Sequence, residues 1–558
     1  MFSLLLALII LLPGGVFAKT PIANTSSGTY IGLHDAQNRI DVYKGMRYAG
    51  PAQRFAPPTP MSMTSLNVSF VEAKDALEFG DDCPQPPILV TAGIPWGPPL
   101  GGRKQNEDCL FINLWRPAAD NITPQRKKLP ILVYIHGGGY FFGAGSEWNG
   151  TALVRRSMAI GKPFIFVTFN YRLGVLGFLG SAQVPAEALN IGLQDQRAAL
   201  RWIQDNAEAF GGDPSKITIA GESAGGNSVH MHLLYPDSKK TFRGAISSSC
   251  TALCSATPAC EWHDRPGGAY NMLGNLTGCG SEVGSFECLR NLPFDTFWPL
   301  ALQTYRSPGG GFPPWVTCKG PPGSLIDEYP AQKVVAGDFL DVPLITGTTK
   351  NEGNLLIGTA FLELNPQPTT ADEENVYLKA FLASQATNSK NISQETLDKI
   401  VVDLYSSVTE INSNSSLYNR ATQLATEYAF LAPQRLFLEA ALAKRKGRQN
   451  LWVYEFDQRP PVFPDFLGAS HTADLYYLDM GFPEVSPRSQ LVLQMQDLYI
   501  SFVNKADPGA LWPRYTDEAK IVMDLAEGGA GFSVDVERRK QTDFFNRVEV
   551  MEEFGRFG

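Results

Sequence analysis

The sequence predicts an α/β fold with a large, mostly parallel central sheet flanked by helices. Short runs rich in β-branched and aromatic residues recur along the chain, and the middle ones, such as LPILVYIHGG and PFIFVTFNYR, are almost continuously hydrophobic. Runs of this kind are typical of strands buried on both faces. Helical patterns lie between them, and this alternation indicates a sheet sandwiched between helical layers.

The predicted elements follow one another without a linker or an internal repeat. The strands predicted in chain order are GTYIGL, DVYKGMRYA, CLFINLWRP, LPILVYIHGG, PFIFVTFNYR, KITIAGES, RGAISSS, VPLITGT and LWVYEFDQ. The clearest helix is NIGLQDQRAALRWIQDNAEAF, and a second is predicted over residues 489–506. Residues 360–445 have a mostly helical pattern and are expected to cap the sheet. We therefore predict that residues 19–558 form a single domain.

Residues 1–18 have the pattern of a secretory signal peptide. An apolar run from Phe2 to Leu12 is followed by Pro13 and by small residues that favour cleavage after Ala18. The run is too short to span a bilayer. We therefore expect a secreted, extracellular protein without stable membrane insertion.

Cysteine content, glycosylation motifs and charge fit this compartment. The eight cysteines are not arranged as paired C-x-x-C motifs, so disulfides are favoured over structural zinc. Sequons for N-glycosylation occur at Asn24, Asn67, Asn121, Asn149, Asn275, Asn391 and Asn414. The formal net charge of −9 argues against a nucleic-acid partner, because phosphate recognition requires a basic surface.

The segment ITIAGESAGGNS contains a candidate nucleophile, Ser223. A β-branched run leads into Gly221-Glu222-Ser223-Ala224-Gly225, and a helical pattern follows. A G-x-S-x-G motif at a strand-to-helix turn is the nucleophile elbow of α/β-hydrolases. The short motif alone fits a serine in a glycine-rich bend equally well, so the rest of a hydrolase site has to be found elsewhere in the chain.

A serine nucleophile needs a histidine base, and in α/β-hydrolases the chain order is serine, acid, histidine. The sequence contains six histidines. His34 and His136 precede the serine. His230 and His232 lie on the helix that follows it, and His263 has no acid well before it. Only His471, in the polar loop FLGASHTADLYYL, satisfies the order, and we predict that it is the base.

The acid that orients the base should lie between these two residues and just after a strand. Glu352 follows the apolar strand VPLITGT and meets both conditions. Spacing alone leaves three competitors in the same interval, which are Asp327, Asp338 and Asp341.

A glycine-rich loop supplies candidate donors for the oxyanion. The buried strand LPILVYI is followed after one residue by Gly137, Gly138 and Gly139, which lack side chains that would obstruct inward-facing amides. The loop contains neither the G-K-[ST] nor the G-x-G-x-x-G pattern of a phosphate-binding loop. The N–H of Ala224, at the positive end of the helix after the elbow, would complete an oxyanion hole.

Motifs between about residues 28 and 530 resemble the type-B carboxylesterase/lipase family, the cholinesterase-like branch of the α/β-hydrolases, and in particular its secreted fungal members. The resemblance rests on YKGMRYAGPAQRFAPP, NEDCLFINLWRP, YIHGGGY, FNYRLGVLGFL, NIGLQDQRAALRWIQDNAEAFGGDP, ITIAGESAGG and TGTTKNEG. It implies helical cap insertions on an α/β-hydrolase fold and a catalytic triad of Ser223, Glu352 and His471. The glutamate is thereby chosen over the three aspartates. The implied oxyanion hole consists of Gly138, Gly139 and Ala224.

The resemblance also implies two disulfides and two structural ion pairs. The disulfides are Cys83–Cys109, which would close a loop beside the active-site mouth, and Cys279–Cys288. The ion pairs are Arg54–Glu107 and Arg172–Asp195.

The chain departs from the family pattern in two places. An insertion follows Ser248-Ser249-Cys250, and the cysteines that remain, which are Cys250, Cys254, Cys260 and Cys318, can pair in three ways. The segment SHTAD around His471 lacks the Gly-Tyr-Glu that follows the catalytic histidine of cholinesterases. This second departure argues against a cholinesterase.

These residues predict a secreted carboxylic ester hydrolase that acts on a small-molecule ester through an acyl-serine intermediate, without a metal or an organic cofactor. A lipase or sterol esterase that acts on long-chain esters is the alternative. A non-catalytic recognition protein is less favoured, because every catalytic position is filled. Because the base must be neutral, activity is expected to fall below about pH 6. Aromatic residues that either line a pocket or belong to the core are Tyr140, Phe141, Phe142, Phe312 and Trp315.

Overall fold

The computed structural model describes residues 20–61, 73–87, 103–118, 128–305, 314–358, 361, 364, 367–406, 416–445, 450–481 and 489–558. The predicted signal peptide lies outside these residues. Among the helices in these ranges, none is both long enough and apolar enough to cross a membrane.

The described strands form two sheets. In chain order the strands are β1 (Ile22–Thr25), β2 (Gly28–Ile31), β3 (Leu33–Asp35), β4 (Ile40–Arg47), β5 (Lys74–Asp75), β6 (Phe111–Pro117), β7 (Leu129–Ile135), β8 (Ile165–Phe169), β9 (Gly212–Glu222), β10 (Gly244–Ser248), β11 (Leu344–Thr349), β12 (Leu451–Phe456), β13 (Ile521–Leu525) and β14 (Gly531–Val534). A small sheet has the order β1-β2-β5, and the eleven-stranded central sheet has the order β14-β13-β12-β11-β10-β9-β7-β8-β6-β4-β3.

Strands β7 to β13 of the central sheet pair in parallel, and the antiparallel pairs lie at its two edges. The carboxyl ends of β7, β9, β10 and β11 therefore meet at one edge of the sheet. That edge is where open α/β sheets collect their ligands and their chemistry.

Helices cover the sheet and extend it into a cap. The α-helices are α1 (Thr151–Ala159), α2 (Gly174–Phe178), α3 (Ile191–Asn206), α4 (Ala224–Leu234), α5 (Ala269–Thr277), α6 (Ser285–Asn291), α7 (Phe294–Ala301), α8 (Pro330–Val335), α9 (Ala371–Gln385), α10 (Gln394–Asp398), α11 (Ser416–Thr426), α12 (Ala432–Arg445), α13 (Gln490–Lys505), α14 (Arg539–Phe545) and α15 (Val548–Glu553). Helices α9 and α11 share a hydrophobic cluster with α14 and α15, apart from the two clusters on the sheet.

The core lies on both faces of the central sheet, as the continuous hydrophobic strands require. Successive residues of β7 point to opposite sides, so Ile131 and Val133 join one cluster with residues of α3 and α4. Leu132 and Tyr134 join the other cluster, with residues of α1 and α13. The predicted fold class, a mostly parallel sheet between helical layers, is confirmed.

The described cysteines form four disulfides. Two are the pairs that the family resemblance implied, Cys83–Cys109 and Cys279–Cys288. The pairing that the sequence left open is Cys250–Cys254 and Cys260–Cys318.

The two implied ion pairs are present and fasten loops to helices. Arg172 binds Asp195 at 2.7 Å, and the two side chains are 3% and 0% exposed. Arg54 binds Glu107 at 2.7 Å and also donates to the carbonyl of Leu292. Within the described residues, neither arginine has a hydrogen bond to Ser223, Glu352 or His471.

Candidate active site

The turn between β9 and α4 holds Ser223 in a strained conformation. Its φ of 57° and ψ of −127° fall in a region that non-glycine residues rarely adopt. The neighbouring glycines have no room for a side chain, since a Cβ on Gly221 would lie 2.4 Å from the Gly225 backbone and one on Gly225 would lie 2.1 Å from the Ile135 carbonyl. The serine side chain is thus presented, half-buried, at the carboxyl edge of the sheet.

The buried side chains of His471 and Glu352 are in direct contact. His471 Nδ1 lies 2.6 Å from Glu352 Oε2, and both residues are at most 3% exposed. The other carboxylate oxygen accepts a hydrogen bond from the backbone N–H of Thr349 at 2.8 Å. The imidazole is therefore oriented by a carboxylate that is itself fixed at the end of β11, the arrangement that a general base requires.

Backbone contacts join the loops that carry these two side chains. Asn351 N donates to the Ala469 carbonyl at 3.0 Å, and Ala469 N donates to Asn351 Oδ1 at 3.1 Å. Ser470 Oγ accepts from the N–H of Leu355 at 2.7 Å. Because these bonds flank both residues, His471 and Glu352 are positioned relative to each other by the backbone as well as by their own contact.

The competing residues lie elsewhere. Asp327, Asp338 and Asp341 are exposed, so none is the buried partner of the imidazole. His230 packs edge-on against Phe437 with ring centres 4.4 Å apart, and His232 Nε2 bonds to a glutamine oxygen at 2.9 Å. No hydrogen bond between Ser223 Oγ and His471 occurs within the described part of the chain, and such bonds often form only when substrate binds.

The glycine-rich loop after β7 lies against the elbow. A Cβ on Gly137 would lie 3.1 Å from Ser223 Cβ. Gly138 and Gly139 have φ values of 96° and 60°, which glycine adopts without strain. Within the described residues no protein acceptor engages the N–H of Gly138, Gly139 or Ala224. Uncommitted amides beside a serine hydroxyl are suited to stabilise an oxyanion.

Sequence reasoning did not identify two carboxyl groups that adjoin His471. Glu222 Oε1 lies 3.3 Å from His471 Nε2, on the side of the ring opposite Glu352. Asp474 is fully buried and accepts a hydrogen bond from Tyr454 at 2.7 Å. Asp474 follows His471 by only three residues, which was a usable signal that the two side chains could be close. No sequence pattern indicated the direction of Glu222.

These carboxyl groups set the ionisation of the site. Burial raises the pKa of Glu222, and the facing imidazole partly opposes this. Burial likewise raises the pKa of Asp474. Burial alone would lower the pKa of His471, but the carboxylates of Glu222 and Glu352 outweigh it, so the pKa lies above that of an ordinary histidine.

The remaining predicted positions divide between core, surface and residues outside the described ranges. Tyr140 and Trp315 belong to the core, at 3% and 0% exposed, while Phe141 and Phe142 are half-buried. The exposed sequon asparagines are Asn24, Asn149, Asn275 and Asn391. The positions that fall outside the described residues are Asn67, Asn121, Asn414 and Phe312.

The chain is similar to known carboxylesterases and lipases. A family model described as the carboxylesterase family matches residues 19–545. The chain is 30% identical to Lipase 1 of Geotrichum candidum over 93% of this chain and 94% of that one. It is 30% identical to a secreted triacylglycerol lipase of Gibberella zeae, covering 90% and 86% of the two chains. The crystal structure of Aspergillus niger EstA superposes with a TM-score of 0.77 at 25% identity, covering 96% of this chain and 99% of that one.

Proposed function

The chain belongs to the carboxylesterase family, and we propose that it hydrolyses carboxylic esters through an acyl-serine intermediate on Ser223. The observation that carries this proposal is the 2.6 Å contact between His471 Nδ1 and the buried Glu352 carboxylate, next to a serine on a strained strand-to-helix turn. A buried carboxylate, an imidazole and a half-buried serine hydroxyl at one edge of a parallel sheet are the groups that acyl transfer needs.

In the proposed reaction, Ser223 Oγ attacks the ester carbonyl while His471 Nε2 accepts the hydroxyl proton. Glu352 holds the imidazole and stabilises the imidazolium that forms. The amides of Gly138, Gly139 and Ala224 bind the oxyanion of the tetrahedral intermediate, and each such donor contributes roughly 3 kcal/mol in related chemistry. His471 then protonates the leaving alcohol, and water attacks the acyl-serine in a second cycle of the same steps.

We also propose that the protein is secreted and glycosylated. Four disulfides are stable in an oxidising compartment. The four described sequon asparagines are exposed and accessible to a glycosyltransferase. A similar protein of Gibberella zeae is named as a secreted lipase.

Hydrolysis of long-chain esters is the second candidate. It is favoured by the names of similar proteins, which include Lipase 1 and a secreted triacylglycerol lipase. Against it, the sequence of the loop between Cys83 and Cys109 has a modest apolar content for a surface that must meet an oil interface.

A rate series on p-nitrophenyl esters from acetyl to palmitoyl tests both candidates, with Ser223→Ala as the matched control. An esterase should cleave the short chains fastest, and Ser223→Ala should lower kcat by about 10⁴ or more. A preference for palmitate that increases sharply above its solubility limit would support the lipase. Equal turnover by the wild type and Ser223→Ala would refute the proposed nucleophile.

A further inference from the structure

Tyr140 continues the glycine loop into a third residue with positive φ. Gly138, Gly139 and Tyr140 have φ values of 96°, 60° and 67° in succession. A tyrosine, unlike a glycine, is strained in this region. Side-chain contacts must therefore hold Tyr140 in place, and its side chain is only 3% exposed.

The hydroxyl of Tyr140 bonds to the first turns of α4. It donates to Asn227 Oδ1 at 2.7 Å and lies 3.1 Å from Ser228 Oγ. Ser228 Oγ in turn donates to the Ala224 carbonyl at 2.9 Å, and Asn227 N donates to the Ser223 carbonyl at 2.9 Å. One hydroxyl thus connects the glycine loop to the same helical turn that follows the nucleophile.

The disulfide loop after β10 fixes the orientation of Asn227. The side chain of Asn227 is 1% exposed, and its Nδ2 donates to the Thr251 carbonyl at 2.9 Å and contacts Cys254 Sγ at 3.5 Å. Because the amide nitrogen is directed at this loop, the amide oxygen faces Tyr140. The Cys250–Cys254 disulfide closes the loop that presents the Thr251 carbonyl.

From these contacts we propose that Tyr140 and Asn227 are positioning residues that set the separation between the two halves of the oxyanion hole. One half is the amide pair of Gly138 and Gly139, and the other is the Ala224 amide at the start of α4. The hydrogen bond between Tyr140 and Asn227 joins the two elements, and the Cys250–Cys254 loop fixes Asn227 through the Thr251 carbonyl. This inference rests on the proposed esterase function.

Such a role predicts a specific kinetic signature. Oxyanion donors act on charge that exists only in the tetrahedral intermediate, so displacing them lowers kcat and leaves ground-state binding unchanged. A trifluoromethyl ketone forms a tetrahedral oxyanion with the serine and reports on the same donors. Its affinity should fall by the same factor as kcat/KM.

The test compares Tyr140→Phe with the matched control Tyr270→Phe. Tyr270 is also buried, and its hydroxyl lies 2.8 Å from Ser285 Oγ in a different part of the fold. Tyr140→Phe should lower kcat and trifluoromethyl ketone affinity by about tenfold with KM within about twofold, a smaller effect than the 10² to 10³ of deleting a donor. Tyr270→Phe should leave all three quantities within about twofold of the wild type.

Asn227→Ala, and separately the double substitution of Cys250 and Cys254 by serine, should give the same signature even if Tyr140→Phe does not fold. A folded Tyr140→Phe or Asn227→Ala variant with wild-type kcat and wild-type affinity for the trifluoromethyl ketone would overturn the proposal. A variant in which KM rises by as much as the affinity for the ketone falls would also overturn it. If Ser223→Ala turns over ester as fast as the wild type, the proposed function itself has failed, so the two failures are distinguishable.

Discussion

The contact between Glu222 and His471 has a testable consequence for the pH dependence of activity. The imidazole must be neutral to accept the serine proton. The Glu222 carboxylate, whose Oε1 lies 3.3 Å from His471 Nε2, favours the charged imidazolium instead. Activity should therefore be lost as the pH falls through a pKa that lies above the ordinary value for histidine, which is at higher pH than the limit of about pH 6 expected from the sequence alone. Replacing Glu222 by glutamine keeps the shape of the side chain and removes its charge, so the acidic limb should move to lower pH.

The size of the shift follows from the distance. Two unit charges 3.3 Å apart interact by about 5 kcal/mol at an effective dielectric constant of about 20, equivalent to roughly 3 to 4 pKa units. Burial raises the pKa of Glu222 itself, so this carboxyl is ionised only in the upper part of the pH range over which activity is measured. For such a coupled pair we expect Glu222→Gln to lower the apparent pKa by about 1 to 2 units.

The assay is the pH profile of kcat/KM for a soluble p-nitrophenyl ester, which reports ionisations of the free enzyme. Glu147→Gln is the control, because burial also raises the pKa of Glu147 but that carboxyl adjoins Asp82 rather than His471. Its profile should coincide with that of the wild type. An acidic limb that stays in place in Glu222→Gln, or moves to higher pH, would refute the electrostatic role of Glu222.

Other substitutions test the triad, the oxyanion loop and the fold. Glu352→Gln should lower kcat by about 10³ to 10⁴ with an unchanged melting temperature, and a loss below tenfold would remove Glu352 from the triad. Gly139→Ala places a Cβ 2.5 Å from the ring of Phe141 at a residue with a φ of 60°. It should lower kcat by about 10² with little change in KM. A variant with wild-type kcat would contradict a role for this loop. Arg172→Met leaves the Asp195 carboxylate buried without its partner. The free energy of unfolding, measured by urea denaturation, should fall by about 3 to 5 kcal/mol. A decrease below about 1 kcal/mol would show that the pair is dispensable.

The candidate nucleophile and the candidate base could be selected from the sequence because the proposed chemistry restricts them to few positions. One serine has the elbow motif, and the chain order leaves His471 alone among six histidines. The acid could not be selected by its position along the chain alone, because three aspartates lie in the same interval between Ser223 and His471. What separates Glu352 from Asp338 is burial, since Glu352 is 0% exposed and the Asp338 side chain is 68% exposed, and spacing along the chain carries no such information.

Contacts between distant segments account for what the sequence did not indicate. Tyr140 and Asn227 are 87 residues apart, and nothing in either segment reports their hydrogen bond. The partners of Cys250 and Cys260 depended on the path of an insertion. Strands β1, β3, β5, β13 and β14 were also not predicted. The edge strand β14, for example, is exposed throughout and lacks the hydrophobic signal of a central strand.

The most direct measurement is the mass of the protein after reaction with a fluorophosphonate, followed by peptide mapping. Attack by an activated serine should give one phosphonyl adduct per chain on Ser223, with none in Ser223→Ala and slower labelling in His471→Ala. Ser249→Ala is the control, because Ser249 also has positive φ, 55°, directly after β10 and should not affect labelling. An adduct on another residue, or equal labelling of Ser223→Ala, would contradict the assignment of Ser223 as the nucleophile.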